Sequence, residues 1–269
     1  MDNRPIGVFD SGIGGLSCVA PLKRLLPDEK IVFFGDTARV PYGSKGDSTI
    51  ISYSLQAVDF LVGQGAKAIV IACNTISAVA AGAIRGAYPQ LPVIDIITPA
   101  AEKVAETLRG GKQAGLIATR ATVNNGAYLK AVRSILPQAE LPSLACPLFV
   151  PIAEEGLADS DIAVLTAKHY LEPFIDENSL DTLVLGCTHY PFLMRSILKA
   201  CPGIDLIDPA GCLAGAAKAK LCELSLLAGP GEGEKAPDRF YASDLTEAFS
   251  STVDAVTGGA DYDIMQHHF

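Results

Sequence analysis

The chain has 269 residues, is 49% hydrophobic and carries a formal net charge of -9. That length and apolar content can bury one large core or two ordinary ones without disulfides or metal. The acidic balance argues against a nucleic-acid partner or an anionic membrane surface, since both need clustered Lys and Arg; small molecules and proteins remain.

Met1 to Pro5 run straight into Ile6 to Phe9 without the longer apolar stretch of a signal peptide. No apolar run approaches the roughly 18 to 20 residues of a membrane span, so a cytoplasmic protein is expected. The seven cysteines are odd in number and show no C-x-x-C spacing, and they read as reduced thiols rather than bridges.

In chain order, Pro5 to Asp10 reads as a strand, Ser11 to Gly15 as a glycine-rich turn and Leu16 to Leu26 as a helix. Such a turn admits a ligand close to the backbone, and the helix N-terminus behind it favours an anionic group. It has neither G-x-G-x-x-G nor a Walker lysine, so a nucleotide reading is weak, and a plain turn between strand and helix is the competing reading. A second strand, Ile31 to Gly35, ends at Asp36 and a loop holding Pro41-Tyr42-Gly43-Ser44, a composition suited to covering a polar ligand and equally to a simple turn. A helix from Ser48 to Gln64, a strand from Ala68 to Ala72 that delivers Cys73, a helix from Ile76 to Tyr88 and a strand from Val93 to Ile97 follow. This βα alternation argues for a parallel sheet with covering helices.

Thr98-Pro99 resembles a helix start running to Arg109. Ala114 to Ala118 is a strand leading to Thr119-Arg120-Ala121-Thr122 and a helix from Asn125 to Leu136. Leu141 to Ala145 and an apolar run lead to Glu154-Glu155-Gly156, then a helix over 160 to 175 and a strand from Thr182 to Leu185 bring in Cys187. A helix from Phe192 to Ala200, a strand from Ile204 to Asp208 and a long helix from Pro209 to Leu227 follow. Gly229 to Pro237 is linker-like. Arg239 to Ala242 reads as a last strand and Leu245 to Val256 as a last helix packed against the first domain; His267-His268 is assigned no role.

Two stretches share one pattern: I-V-I-A-C-N-T at 69 to 75 and L-V-L-G-C-T-H at 183 to 189, their cysteines 114 residues apart. Gly7 and Gly115 align two further strand ends 108 residues apart, placing Thr119 where Ser11 stood. The near-equal offsets support two similarly wound halves. Ligands sit beyond the carboxyl ends of strands in open parallel sheets, and Asp10, Asp36, Cys73, Thr119, Glu154 and Cys187 all read as lying at or just after such ends. The expected fold is α/β, with mainly parallel sheets in two domains, 1–97 with 209–269 and 98–208, and an active-site cleft between them.

A thiolate is the active form of cysteine, and a helix N-terminus favours it. Cys73 and Cys187 each precede a predicted helix. Two opposed thiols suit reversible inversion of a stereocentre, one removing a proton and the other delivering one. Either cysteine alone reads as a small buried hydrophobe; the matched pair reads as functional. A zinc site from Cys73, Cys187, His189 and a carboxylate fits none of the common ligand spacings. A nucleophilic Cys-His pair would leave the second cysteine idle.

V-F-D-S-G-I-G-G-L (8 to 16), P-Y-G-S-K (41 to 45), A-C-N-T (72 to 75), P-L-F-V-P (147 to 151) with Glu154, and L-G-C-T-H-Y-P (185 to 191) together resemble the glutamate racemases of the aspartate/glutamate racemase superfamily. The resemblance spans residues 6 to about 208. It implies a cytoplasmic enzyme, free of cofactor and metal, that interconverts L- and D-glutamate for bacterial peptidoglycan synthesis, as a homodimer. It implies Cys73 acting on the D-enantiomer and Cys187 on the L-enantiomer, with Asp10 assisting Cys73, His189 assisting Cys187, and Glu154 close by. Asp10, Ser11, Tyr42, Gly43, Asn74, Thr75, Thr119, Thr122, Thr188 and His189 would bind substrate. Without the resemblance, Asp10 also reads as a turn cap, Glu154 as a solvated acid and His189 as a structural histidine. Asn125 stands where the family often carries Ser. Aspartate or a hydantoin as substrate, and a non-catalytic binding protein on the same fold, are the rival readings.

Overall fold

A computed structural model describes residues 1–229 and 237–269. The linker-like stretch therefore lies, but for its end residues Gly229 and Pro237, outside the described residues. The chain divides into two compact units, Met1–Ile96 with Ala210–Phe269 and Ile97–Pro209.

The first unit begins β1 (Ile6–Asp10), α1 (Val19–Leu25), β2 (Ile31–Gly35), α2 (Asp47–Gly63), β3 (Ala68–Ile71), α3 (Asn74–Ala87) and β4 (Val93–Asp95). The second unit holds α4 (Ile97–Arg109), β5 (Ala114–Ala118), α5 (Arg120–Asn125), α6 (Ala127–Ile135), β6 (Ser143–Ala145), α7 (Phe149–Glu154), α8 (Asp161–Asn178), β7 (Thr182–Gly186), α9 (Met194–Ala200) and β8 (Asp205–Ile207). Helix α10 (Pro209–Glu223) returns to the first unit, which ends with β9 (Asp238–Ala242), α11 (Glu247–Thr257) and β10 (Tyr262–Gln266).

The first sheet has the order β10-β9-β2-β1-β3-β4, with every neighbouring pair parallel. Its central strands β1, β2 and β3 are buried at every position, which is why they read as unbroken apolar runs rather than alternating ones. Phe9, Phe34 and Ile71 face a core shared with Ala57, Leu61 and Ile76 of α2 and α3. On the other face Phe33 meets Phe240 of β9 and Phe249 of α11, ring centroids 6.1 and 6.2 Å away, so α11 packs within this unit. Losing the Phe249 ring would cost about 3–5 kcal/mol.

The second sheet, β6-β5-β7-β8, is parallel throughout. Beneath it Phe149, Leu171, Leu183, Leu185 and Tyr190 form the core.

Several elements differ from the sequence reading. The helix expected from Asn125 to Leu136 is two helices, because Gly126 takes φ +68°, a left-handed conformation that ends α5. Thr119 to Thr122, read as loop, is the start of α5, with Thr119 as its N-cap. Cys187 is followed by a 3-10 turn, Tyr190–Leu193, with Pro191 near its start, so the next α-helix begins only at Met194. Beyond the expected last helix the chain adds β10, an edge strand of half-exposed residues. There His267 stacks on Phe60 with centroids 4.0 Å apart. Among the described residues no helix is long and apolar enough to cross a membrane.

Candidate active site

In the first sheet the chain steps from β1 to β2 on one side and then crosses to β3 on the other. The loops after β1 and β3 therefore diverge, and this is where open α/β sheets hold ligands. Ser11 follows β1 and Cys73 follows β3; the Ser11 Oγ and Cys73 Sγ are 3.5 Å apart. Cys73 is 4% exposed and is the N-cap of the 14-residue α3, whose N-terminal N–H groups favour an anion. Asn74 and Thr75, buried in the first turn of α3, stand beside it. Asp10, at the end of β1, is fully buried, and its Oδ1 accepts the Gly12 N–H at 2.9 Å. A Cβ on Gly15 would lie 2.3 Å from the Asp10 Cβ, so only glycine lets this turn close over the aspartate.

Tyr42 and Gly43 lie in the 3-10 turn Tyr42–Ser44, which packs on α3. The Tyr42 hydroxyl donates to the buried Asp36 carboxylate and its ring is buried, leaving the backbone of the turn at half-buried Gly43 to meet a ligand. Burial, and secondarily the Asp36 charge, push the Tyr42 pKa well above its ordinary value, so it remains a neutral donor.

The second sheet repeats the plan. From β5 the chain goes to β6 on one side and to β7 on the other, and the divergent loops carry Thr119 to Thr122 and Cys187 to His189. The Thr119 Oγ1 accepts the Thr122 N–H at 3.3 Å and lies 3.1 Å from the Thr122 Oγ1. Cys187, Thr188 and His189 are 7%, 5% and 6% exposed. The Cys187 Sγ is 3.8 Å from His189 Nδ1, and His189 Nε2 is 3.0 Å from Glu154 Oε1. Thiol, imidazole and carboxylate thus form a line, an arrangement able to move a proton to or from sulfur. Glu154 reaches it from the end of α7 rather than from a strand end, because residues 149–154 coil into a helix before the acid is presented. Asn125 ends α5, with its carbonyl taken by Lys130 Nζ at 3.0 Å.

The profile of the Asp/Glu/Hydantoin racemase family matches residues 14–217. The chain belongs to that family. Glutamate racemase of Neisseria gonorrhoeae is 46% identical over 91% of this chain and 90% of its own length. That of Geobacter metallireducens is 40% identical over 99% and 97%. The crystal structure of the Francisella tularensis glutamate racemase in complex with D-glutamate superposes with a TM-score of 0.89, at 40% identity, covering 99% of this chain and 98% of that one.

This racemase also places Cys146, Tyr190 and Ser243, which the sequence reading did not single out, beside residues that it did. Cys146 is buried beside Cys187 and Tyr190; burial first, and the Cys187 charge second, push its thiol up, which keeps it protonated. The Tyr190 hydroxyl donates to the Cys146 carbonyl at 2.9 Å. Asp36 accepts Arg39 Nε at 2.7 Å and Ser243 Oγ at 2.8 Å. Asp36 was marked by its place after a strand end, and the same signal could have marked Ser243, which follows β9. Among the described residues no group of three or more His, Cys, Asp or Glu is arranged to hold a metal ion.

Proposed function

We propose that this chain interconverts L- and D-glutamate without a cofactor, with Cys73 and Cys187 as the two acid–base groups. The observation that carries the reading is the pair of buried thiols, each at the point where its sheet's strand order reverses. As thiolate, Cys73 takes the α-proton of D-glutamate and leaves the electron pair on Cα. The Cys187 thiol then gives its proton to the opposite face, yielding L-glutamate. One S–H and one C–H bond form as one of each breaks, and the pair ends with its protonation exchanged. The reverse run starts from L-glutamate with Cys187 as base. Asp10 assists Cys73, while His189, held by Glu154, assists Cys187.

Ser11, Asn74, Thr75, Thr119, Thr122 and Thr188, with the Tyr42–Gly43 turn, would hold the carboxylates and the ammonium group. Hydroxyls and N–H groups suit this task because they bind anions without a cation that would lock a thiolate in an ion pair. Supply of D-glutamate for peptidoglycan in the cytoplasm, by a homodimer, belongs to the same reading; light scattering in solution tests the dimer.

The test is incubation of each glutamate enantiomer in deuterated water with no added cofactor. The expected product is the opposite enantiomer carrying one deuterium at Cα, with Cys73→Ser and Cys187→Ser each reducing turnover by about 10²–10⁴-fold or more. A single variant that racemises at near wild-type rate overturns the two-thiol mechanism. Turnover of aspartate or a hydantoin in place of glutamate overturns the substrate.

A further inference from the structure

Arg39 is held on several sides. Its Nε donates to Asp36 Oδ2 at 2.7 Å and its Nη1 to Gln56 Oε1 at 2.6 Å. The guanidinium carbon lies 3.9 Å from the Tyr53 ring centroid and 4.6 Å from that of Phe269, so two rings flank the cation. Phe269 is seated in turn against Phe34 and His267, with centroids 5.2 and 4.9 Å away.

What Arg39 holds leads toward a thiol. The Asp36 oxygen that accepts Arg39 Nε also accepts the Tyr42 hydroxyl, and Tyr53 packs on Tyr42 with centroids 5.8 Å apart. Tyr42 opens the turn that lies on α3, and Cys73 caps α3. A guanidinium suits this place better than an ammonium, since its plane stacks between rings while its edge bonds a carboxylate.

We propose that Arg39 and Phe269 are positioning residues: their stack fixes Asp36 and Tyr42, and through them the Tyr42–Gly43 turn that grips substrate. This rests on the reading of that turn as a glutamate-binding element. Neither residue touches the reacting atoms, so the effect belongs to substrate binding rather than to proton transfer.

Removing Arg39 outright would leave the buried Asp36 carboxylate without its cation, held only by the Tyr42 and Ser243 hydroxyls, so milder changes serve. Phe269→Leu keeps an apolar side chain and loses the ring; Phe269→Tyr keeps the ring. Phe269→Leu is expected to raise KM for glutamate about threefold to tenfold, the range of a partly desolvated cation–ring contact, with kcat within about twofold. Phe269→Tyr should match wild type. Arg39→Lys combined with Phe269→Leu should raise KM little beyond the larger single effect, because both act through one stack. Should Phe269→Leu fail to fold, as read by its thermal melt, Phe269→Met carries the same comparison. An unchanged KM in Phe269→Leu, an equal loss in Phe269→Tyr, or a fall in kcat at constant KM overturns the proposal. A wild-type protein that does not turn over glutamate overturns the functional reading instead.

Discussion

Replacing Glu154 by Gln isolates what the carboxylate does for His189. The two side chains meet at 3.0 Å, with the imidazole 7% and the carboxylate 37% exposed. A hydrogen bond to a charged group contributes about 1.5–3 kcal/mol, and solvent on the Glu154 side trims this to about 1–2 kcal/mol. That corresponds to a fall of about fivefold to thirtyfold in kcat/KM. Glutamine keeps the volume and one acceptor oxygen, so the loss reports the charge and not the shape. Because enantiomers have equal free energy, kcat/KM must fall by the same factor from either side. The asymmetry appears instead in the isotope effect. On the proposed mechanism, slower transfer at Cys187 makes that step more rate-limiting, so the primary effect grows for α-deuterated L-glutamate and shrinks for the D-enantiomer. Progress curves followed by circular dichroism, from each pure enantiomer with hydrogen or deuterium at Cα, measure both quantities. Values of kcat/KM within about twofold of wild type, with both isotope effects unchanged, would refute the coupling of Glu154 through His189 to Cys187.

Gly15→Ala would set a methyl 2.3 Å from the Asp10 Cβ and 3.1 Å from the Ala72 Cβ. Overpacking of this kind costs about 1–3 kcal/mol. A lower melting temperature and reduced turnover are expected together, and a variant equal to wild type in both would contradict the close approach. His267, stacked on Phe60, has its pKa lowered from 6.5 by burial first and by neighbouring His268 second. The unfolded chain therefore binds this proton more readily, so the contribution to stability is complete above about pH 6.5 and is lost as pH falls below it. An NMR titration of the ring should show a midpoint below 6.5 that moves back up in Phe60→Leu; a wild-type midpoint at or above 6.5 contradicts the packing.

Much of the fold was legible because parallel strands buried on both faces must be continuously apolar. Ile31 to Gly35 and Ala114 to Ala118 were read to the residue. The 3-10 turn after Cys187 was missed because Y-P-F-L looks like the start of the helix that follows it. The break at Gly126 was missed because the apolar pattern of α6 runs up to it. The strand β10 was missed because an edge strand, half-exposed, carries little of the apolar signal that marks a central one. The repeated Cys-x-Thr and Cys-Thr-x stretches identified the thiols, since a cysteine ending an apolar strand run is a local pattern.

What local pattern cannot carry is which distant side chains a strand-end residue will meet. The sequence by itself determined the strands, their helices, the two thiol-bearing ends and the family to which they point. All of these rest on periodicity and short motifs, which act between neighbours in the chain. Only the tertiary structure decided that Glu154 meets His189 across 35 residues, that Ser243 meets Asp36 across 207, and that Phe269 lies on Arg39. Those contacts follow from strand order: β10 and β9 lie beside β2, and β6 and β7 flank β5, so the segments that follow these strands meet.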